Sequence, residues 1–274
     1  MTGSEIVIVG GLGKTGGRVA ARLEARGRVA RSASRSTQPA FDWTDRAGWV
    51  AALAGAKAAY VTYQPDLMVP GAADDIEALA AAAQEAGVEH IVLLSGRGEE
   101  GALVSEERLK KSGLAYTVLR ASWFNQNFSE GAFLDGILAG ELVLPVDAVR
   151  EPFVDLDDVA DAAVEVLLDP AHRNKIYELT GPQLLTFRDA VADIAAATGR
   201  ELAYVPVPLA DFLDGMRQAG MPDDALWLMG ELFTHTLDGR NESIRRDIEN
   251  LIGRPAKPFA SFAREAASRG MWGA

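Results

Sequence analysis

The chain opens on a short apolar, β-branched run, Glu5 to Gly10, of the kind that makes a strand buried on both faces. Glycines follow. Arg18 to Gly27 then carries Val19, Ala20 and Leu23 on one helical face, with a glycine at the stop. Arg28 to Ser34 and Ala58 to Thr62 read as the second and third strands. Asp74 to Gly87 predicts a helix, with acids in its first turn and Ile76, Leu79, Ala80 and Ala83 on one stripe, leading into the apolar run Ile91 to Leu94. A helix near 103–112 ends at Gly113, and Ala115 to Leu119 reads as another buried strand. Strands alternating with helices predict right-handed βαβ units, hence an α/β fold built on a doubly wound parallel sheet.

Beyond about residue 122 the pattern loosens. A helix near 126–139, a short strand at Leu142 to Leu144 and a helix at 156–168 are expected to pack on the sheet, with Ile176 to Thr180 as a returning strand. The rest reads as helix: 187–198, with Thr186 and Asp189 spaced as a capping box, then 209–219, 223–236, 242–252 and 258–268. The expected organisation is a dinucleotide-sized core over 1–122 and, over 123–274, the remaining sheet elements with a smaller, mostly helical lobe. The two are interleaved, and the lobe is expected to cover the carboxyl ends of the strands.

Composition removes several classes of chemistry. Cysteine is absent, which excludes disulfides, thiolate catalysis and cysteine-based metal sites. The three histidines, His90, His172 and His235, are far apart in the chain, so no metal is expected. Asp155, Asp157, Asp158 and Asp161 form a dense acid cluster, explained by a helix N-terminus with Asp155 as cap, although a metal site was the alternative. The net charge of −12 argues against nucleic acid. No run is long and apolar enough for a membrane span, and no targeting segment precedes the first strand, so the expected compartment is the cytoplasm.

Charge is uneven, however. From Lys14 to Arg35 there are seven basic residues and one acid. This island begins in the loop Gly10-Gly11-Leu12-Gly13-Lys14-Thr15-Gly16, which satisfies Gly-x-Gly-x-x-Gly between a strand and an amphipathic helix. Glycines there let the backbone approach a pyrophosphate, and the helix offers unpaired N–H groups and a positive dipole end. Gly13-Lys14-Thr15 does not make a triphosphate loop, because Ile8 occupies the position of its leading glycine. The second strand ends without the carboxylate that bonds the ribose of NAD; Arg35, and after it Arg31, are the candidates to hold the 2′-phosphate of NADP(H). Arg18, Arg22 and Arg26 are read as a solvated helix face, as is the Arg/Glu pattern at 240–249.

The sequence resembles the NmrA-like branch of the atypical short-chain dehydrogenases/reductases over nearly its whole length. The resemblance rests on Val7 to Gly16, Ser34-Arg35, Phe41-Asp42-Trp43, Leu93-Leu94-Ser95, Ser112 to Arg120, Trp123 to Asn127, Pro152 to Asp155 and Tyr177 to Pro182. It implies a Rossmann-type fold, with Asp42 and Trp43 beside the adenine, Thr62, Tyr63 and Gln64 along the cofactor's ribose and diphosphate, and Ser95 near the nicotinamide. The superfamily's usual Tyr-x-x-x-Lys pair is missing: Tyr60, Tyr63, Tyr116, Tyr177 and Tyr204 are followed four residues on by Gln64, Leu67, Arg120, Gly181 and Pro208. Where relatives that reduce phenylpropanoid double bonds carry a lysine, this chain has Ala102.

Electron-poor acceptors such as quinones, iminium ions or azo bonds can take a hydride without that pair. The expected function is therefore an NADPH-dependent oxidoreductase acting on a small conjugated molecule, as a monomer or homodimer. The alternatives are a non-catalytic NADP(H) sensor or scaffold, and a tailoring enzyme for isomerisation or coupling. Trp123, Phe124, Asn125 and Asn127 are candidates for the substrate wall, and so is Phe153 by its family position; for the aromatic residues core packing is the equal alternative. Trp227 and His235, eight residues apart on one expected helix, share a similar face, although a lone histidine there is more often solvated. High alanine and arginine usage suggests a bacterial source.

Overall fold

The computed structural model describes residues 6–273. Glu5, expected at the head of the first strand, lies outside the described residues. β1 (Ile6–Val9) is buried at all four positions, the consequence of a β-branched run flanked on both sides by parallel neighbours. The chain continues through α1 (Lys14–Ala25), β2 (Ala30–Ala33), a short 3₁₀ turn and α2 (Trp49–Leu53), β3 (Ala58–Val61), α3 (Ala72–Glu85), β4 (His90–Gly96), α4 (Glu100–Lys111) and β5 (Ala115–Ala121). It then leaves this unit for α5 (Leu134–Ala139), β6 (Glu141–Leu144) and β7 (Arg150–Glu151), and returns with α6 (Leu156–Leu168) and β8 (Lys175–Leu179). β9 (Leu185–Thr186), α7 (Phe187–Thr198), β10 (Ala203–Pro206), α8 (Leu209–Gln218) and α9 (Asp223–Glu231) belong to the second unit, α10 (Asp247–Ile252) to the first, and α11 (Phe259–Ser268) to the second.

The first unit is built on a six-stranded parallel sheet in the order β2-β1-β3-β4-β5-β8. One face carries Val7, Val9, Ala59, Val61, Ile91 and Leu93 against α2, α3 and α4. On the other, α1 and α6 pack on each other and on the strands. The sheet is therefore doubly wound, as the alternation predicts. Its topological switch point lies between β1 and β3, where the connections leave in opposite directions.

Two sequence expectations are corrected in this unit. Residues 46–53, not expected to be regular, form the 3₁₀ turn and α2, because Trp49, Ala52 and Leu53 bury completely under the sheet. Arg18, Arg22 and Arg26 are not a solvated face: Arg22 reaches Asp157 at 2.9 Å and Asp161 at 2.5 Å, Arg18 lies 3.4 Å from Asp157, and Arg26 pairs with Glu165. Arg254 adds ion pairs to Asp158 and Asp161, both at 2.6 Å. The acid cluster of α6 is thus held by arginines, and no group of potential metal ligands occurs among the described residues.

The second unit has an aromatic core of Phe128, Phe133, Phe153, Phe187, Phe259 and Trp272. Residues 126–139 are not one helix but a 3₁₀ turn over Asn125–Phe128 followed by α5, since Gly131 folds against Asn127 so closely that a Cβ would lie 2.7 Å from its Cα. The strand expected at 142–144 does not join the main sheet; β6 pairs in parallel with β10, and β7 with β9 antiparallel. The Thr186–Asp189 capping box is formed. The helix expected at 242–252 starts only at Asp247: Glu242 is tied to Arg150, and the Arg245 N–H donates to Thr180 Oγ1 at 2.9 Å, which holds this segment out of helix. Asp155 is buried, its Oδ2 lying 3.6 Å from Lys257 Nζ.

Candidate functional site

The glycine loop is shaped by close backbone approach. Gly10 has φ +78°, and a Cβ there would lie 2.1 Å from Thr62 Oγ1. The Gly13 N–H donates to Gly10 O at 2.8 Å, turning the chain straight from β1 into α1. Gly16, in the first turn of α1, is buried with its Cα against the Gly10 and Gly11 backbone. Leu12, Gly13 and Lys14 are exposed.

The N-terminus of α1 has no side-chain cap and no acid in its first turn, whereas α3 and α6 each place two acids there. The first N–H groups of a helix lack intrahelical partners, and here, among the described residues, no side-chain cap or first-turn acid offsets the positive dipole end. With Lys14 beside it and the switch point adjacent, this end suits a diphosphate. The residues present therefore fit a dinucleotide.

Beyond β2, Ser34, Ser36 and Thr37 form a tight hydroxyl-bonded turn: the Ser34 N–H donates to Thr37 Oγ1 at 2.9 Å and the Ser36 N–H to Ser34 Oγ at 3.3 Å. Arg35 stands exposed on that turn, and its guanidinium makes no hydrogen bond among the described residues. Arg31 is different. It donates to Ala52 O at 2.7 Å and Ala54 O at 3.0 Å, closing the C-terminal end of α2, and burial lowers its pKa. Arg31 thus serves as a helix-end donor, a use the sequence did not reveal.

Asp42 Oδ1 accepts the N–H and the hydroxyl of Thr44, both at 2.9 Å, bonds that with the charge of Arg35 hold its pKa below the usual carboxylate range. Trp43 packs edge-on to Phe41 and Trp49 and lies 4.5 Å from the Tyr63 ring. Tyr63 donates its hydroxyl to Asp75 at 2.7 Å, Thr62 donates to Val9 O, and Gln64 is exposed. Sequence reading missed Trp49, whose Nε1 donates to Asp42 O at 2.7 Å and fixes this aromatic wall.

At the carboxyl ends of β4 and β5, Ser95 Oγ donates to Glu106 Oε1 at 2.7 Å, and Arg120 grips both oxygens of Glu106. Neither Glu106 nor Arg120 was singled out from sequence. The signal was a carboxylate sharing the buried face of α4 with Ala102, Ser105 and Leu109. Also missed was a carboxyl pair: Glu99, set against Gly96, hydrogen-bonds Asp66 in the loop after β3. Burial, first, and the Asp66 charge, second, raise Glu99 well above the usual range.

In the second unit Trp123 is half-buried, stacked on Phe133 and edge-on to Phe187. Phe124 is half-buried and bridges Val154, and Asn127 lies against Gly131. Asn125 is 0 % exposed, yet neither end of its side-chain amide has a hydrogen-bond partner among the described residues. Phe153 is 2 % exposed and packed on Phe128, Phe187 and Phe259, which makes it core, not wall. Trp227, 41 % exposed, lines an open pocket of about 400 Å³ between α8 and α9 with Leu213, Arg217, Leu226 and Glu231. His235 is outside that lining, 3.8 Å from Glu231. The single helix expected over 223–236 is interrupted, since α9 ends at Glu231 and Leu232–Thr236 is a π turn.

No family model matches the chain. Among curated proteins, an NAD(P)H azoreductase of Xenophilus azovorans is 30% identical, covering 96% of this chain and 98% of its own length. An agroclavine dehydrogenase of Claviceps fusiformis is 28% identical over 97% and 98%. Among solved structures, the Citrobacter triphenylmethane reductase complexed with NADP(H) superposes with a TM-score of 0.78 at 21% identity, covering 97% of this chain and 99% of that one. An NADPH-dependent quinone oxidoreductase of Escherichia coli gives 0.77 at 22%, covering 95% and 99%. The fold, the glycine loop and a relative of that identity over almost the full length together make the chain a member of the NmrA-like family of atypical short-chain dehydrogenases/reductases.

Proposed function

We propose that this chain is an NADPH-dependent oxidoreductase that reduces a small, conjugated, electron-poor organic molecule. The observation that carries the cofactor half is the uncapped, acid-free N-terminus of α1 presented by the Gly10–Gly13 turn. The substrate class follows relatives named for azo, quinone, triphenylmethane and clavine chemistry, together with the absence of a Tyr-x-x-x-Lys pair.

In this reading the first unit holds the dinucleotide. Gly10, Leu12, Gly13, Lys14, Thr15 and Gly16 cradle the diphosphate, Arg35 with Ser34 and Ser36 takes the 2′-phosphate, Asp42 and Trp43 flank the adenine, and Thr62, Tyr63, Gln64 and Ser95 line the remaining length. NADPH, when bound, supplies the hydride. Trp123 and Phe124 are the candidates for a flat apolar substrate surface, and Asn125 and Asn127 for amide donors and acceptors. Trp227 and His235 are further candidates. Among the described residues no helix is long and apolar enough to cross a membrane. We place the protein in a bacterial cytoplasm, as a monomer or homodimer.

Steady-state oxidation of NADPH with a panel of quinones, iminium salts and azo dyes tests the reading. Binding of NADPH without turnover of any of them would favour a sensing role instead. Arg35→Ala is expected to weaken NADPH about 10- to 100-fold while leaving NADH within about twofold, as one charge-assisted phosphate contact is lost. Equal losses for both dinucleotides in a fluorescence titration would remove Arg35 from the phosphate site.

A further inference from the structure

At the carboxyl end of β4 the fold fixes the polarity of one hydroxyl from behind. Ser95, 4 % exposed, donates its O–H to Glu106 Oε1 at 2.7 Å. That oxygen also accepts Arg120 Nε at 2.9 Å, and Arg120 Nη2 reaches Glu106 Oε2 at 2.6 Å. The arrangement is set by the backbone: Ser95 and Arg120 are directly opposed in the β4–β5 ladder, and Glu106 comes down between them from the buried face of α4. A carboxylate has no proton to give and a guanidinium has no lone pair to offer, so neither can turn the Ser95 hydrogen around. The Ser95 oxygen therefore presents only lone pairs to any further group that reaches it.

The sheet order suggests what that group is. A dinucleotide laid across the β1/β3 switch point with its adenosine on the β2 side has its nicotinamide on the β3 and β4 side. The nicotinamide head carries a single kind of N–H donor, its carboxamide. We propose that Ser95 accepts a hydrogen bond from that carboxamide, and that Glu106, braced by Arg120, is the positioning residue that keeps Ser95 an acceptor. This rests on the reading that the chain binds NADP(H). It also removes Ser95 as the source of any proton used in reduction.

The probe pair is NADP⁺ and its 3-acetylpyridine analogue, which keeps the carbonyl but lacks the N–H. Calorimetric titration of the wild-type protein is expected to show NADP⁺ bound about tenfold more tightly than the analogue, one hydrogen bond's worth of discrimination. Ser95→Ala removes one hydroxyl and leaves Glu106 paired with Arg120, so it is expected to fold and to bind both dinucleotides alike. Glu106→Gln, which can turn an amide N–H toward Ser95, is expected to narrow the preference, and in the Ser95→Ala background to have no further effect on it. A purely structural role would weaken both ligands together and leave their ratio unchanged. A wild type that binds both equally, or an unchanged ratio in Ser95→Ala, overturns the proposal even where NADP⁺ binding is intact. Should neither dinucleotide bind the wild type, the cofactor reading falls and this inference falls with it.

Discussion

Gly16→Val is expected to raise the dissociation constant for NADPH by at least about 100-fold, roughly 3 kcal/mol, and to lower the melting temperature by about 5–10 °C. A Cβ at Gly16 would lie 2.4 Å from Gly10 O and 2.8 Å from Gly10 C and Gly11 Cα. All three are backbone atoms of the turn itself, so no rotamer change relieves the overlap, and the loop must move off the start of α1. Overpacking of this kind costs about 1–3 kcal/mol in stability, and displacement of the turn removes the aligned N–H groups on which diphosphate binding depends. Gly17→Ala is the matched control. Its Cβ would meet nothing nearer than Gly11 O at 3.7 Å, and alanine favours helix over glycine by about 1 kcal/mol. That variant should melt slightly higher and bind NADPH normally. Fluorescence titration and thermal melts read both variants; a Gly16→Val protein that binds as tightly as wild type would show that the turn does not hold the diphosphate.

The dinucleotide half of the fold was legible because its signals are local. The apolar runs at 6–9, 58–61 and 91–94, the helix-ending glycines and the glycine turn each act over a few residues, and together they leave one arrangement of strands and helices. What escaped was set by tertiary partners. Arg35 and, after it, Arg31 are both phosphate candidates in the sequence, yet α2 folds where its C-terminal carbonyls can take Arg31, while Arg35 stays exposed. Arg22 and Arg26, read as a solvated helix face, instead answer acids 139 residues further on in α6. Similarly, Leu142 to Leu144 shows the pattern of any short strand, and only the distant β10 decides which sheet it joins. In the second unit Phe153 and Trp123 carry the same apolar signal and each packs against three aromatic rings, yet Phe153 is buried and Trp123 only half-buried, a difference no local pattern encodes. Ser95 could be placed by resemblance, but Glu106 behind it could not, since its meaning depends on facing β4 and β5 at once.

Glu99→Gln is expected to become progressively more stable than wild type as pH rises above the ordinary carboxylate range. The Glu99 carboxyl is raised well above the ordinary range first by burial, then by the charge of Asp66, the hydrogen bond it donates to Asp66, and the charge of Glu106. Asp66 is raised too, mainly by burial, and is held back by the Met68 N–H at 2.8 Å and by its bond from Glu99. The pair therefore shares one proton, which Glu99 holds. A carboxyl whose folded pKa lies above its unfolded value gives its full stability below the unfolded pKa and loses it as pH climbs toward the folded pKa. Each pH unit in that window costs the wild type about 1.4 kcal/mol, since folding must retain a proton that the unfolded chain has released. Glutamine keeps an N–H to donate to Asp66 and has nothing to release, so its melting temperature should stay nearly level where the wild type falls. At about 2–4 °C per kcal/mol for a chain of this size, the two melting curves should separate by a few degrees for each pH unit of that window. The measurement is made without cofactor, so it reads the carboxyl pair alone. Parallel wild-type and Glu99→Gln profiles across that range would mean that Glu99 is ionised in the folded protein and that the clasp between the β3 loop and α4 carries no shared proton.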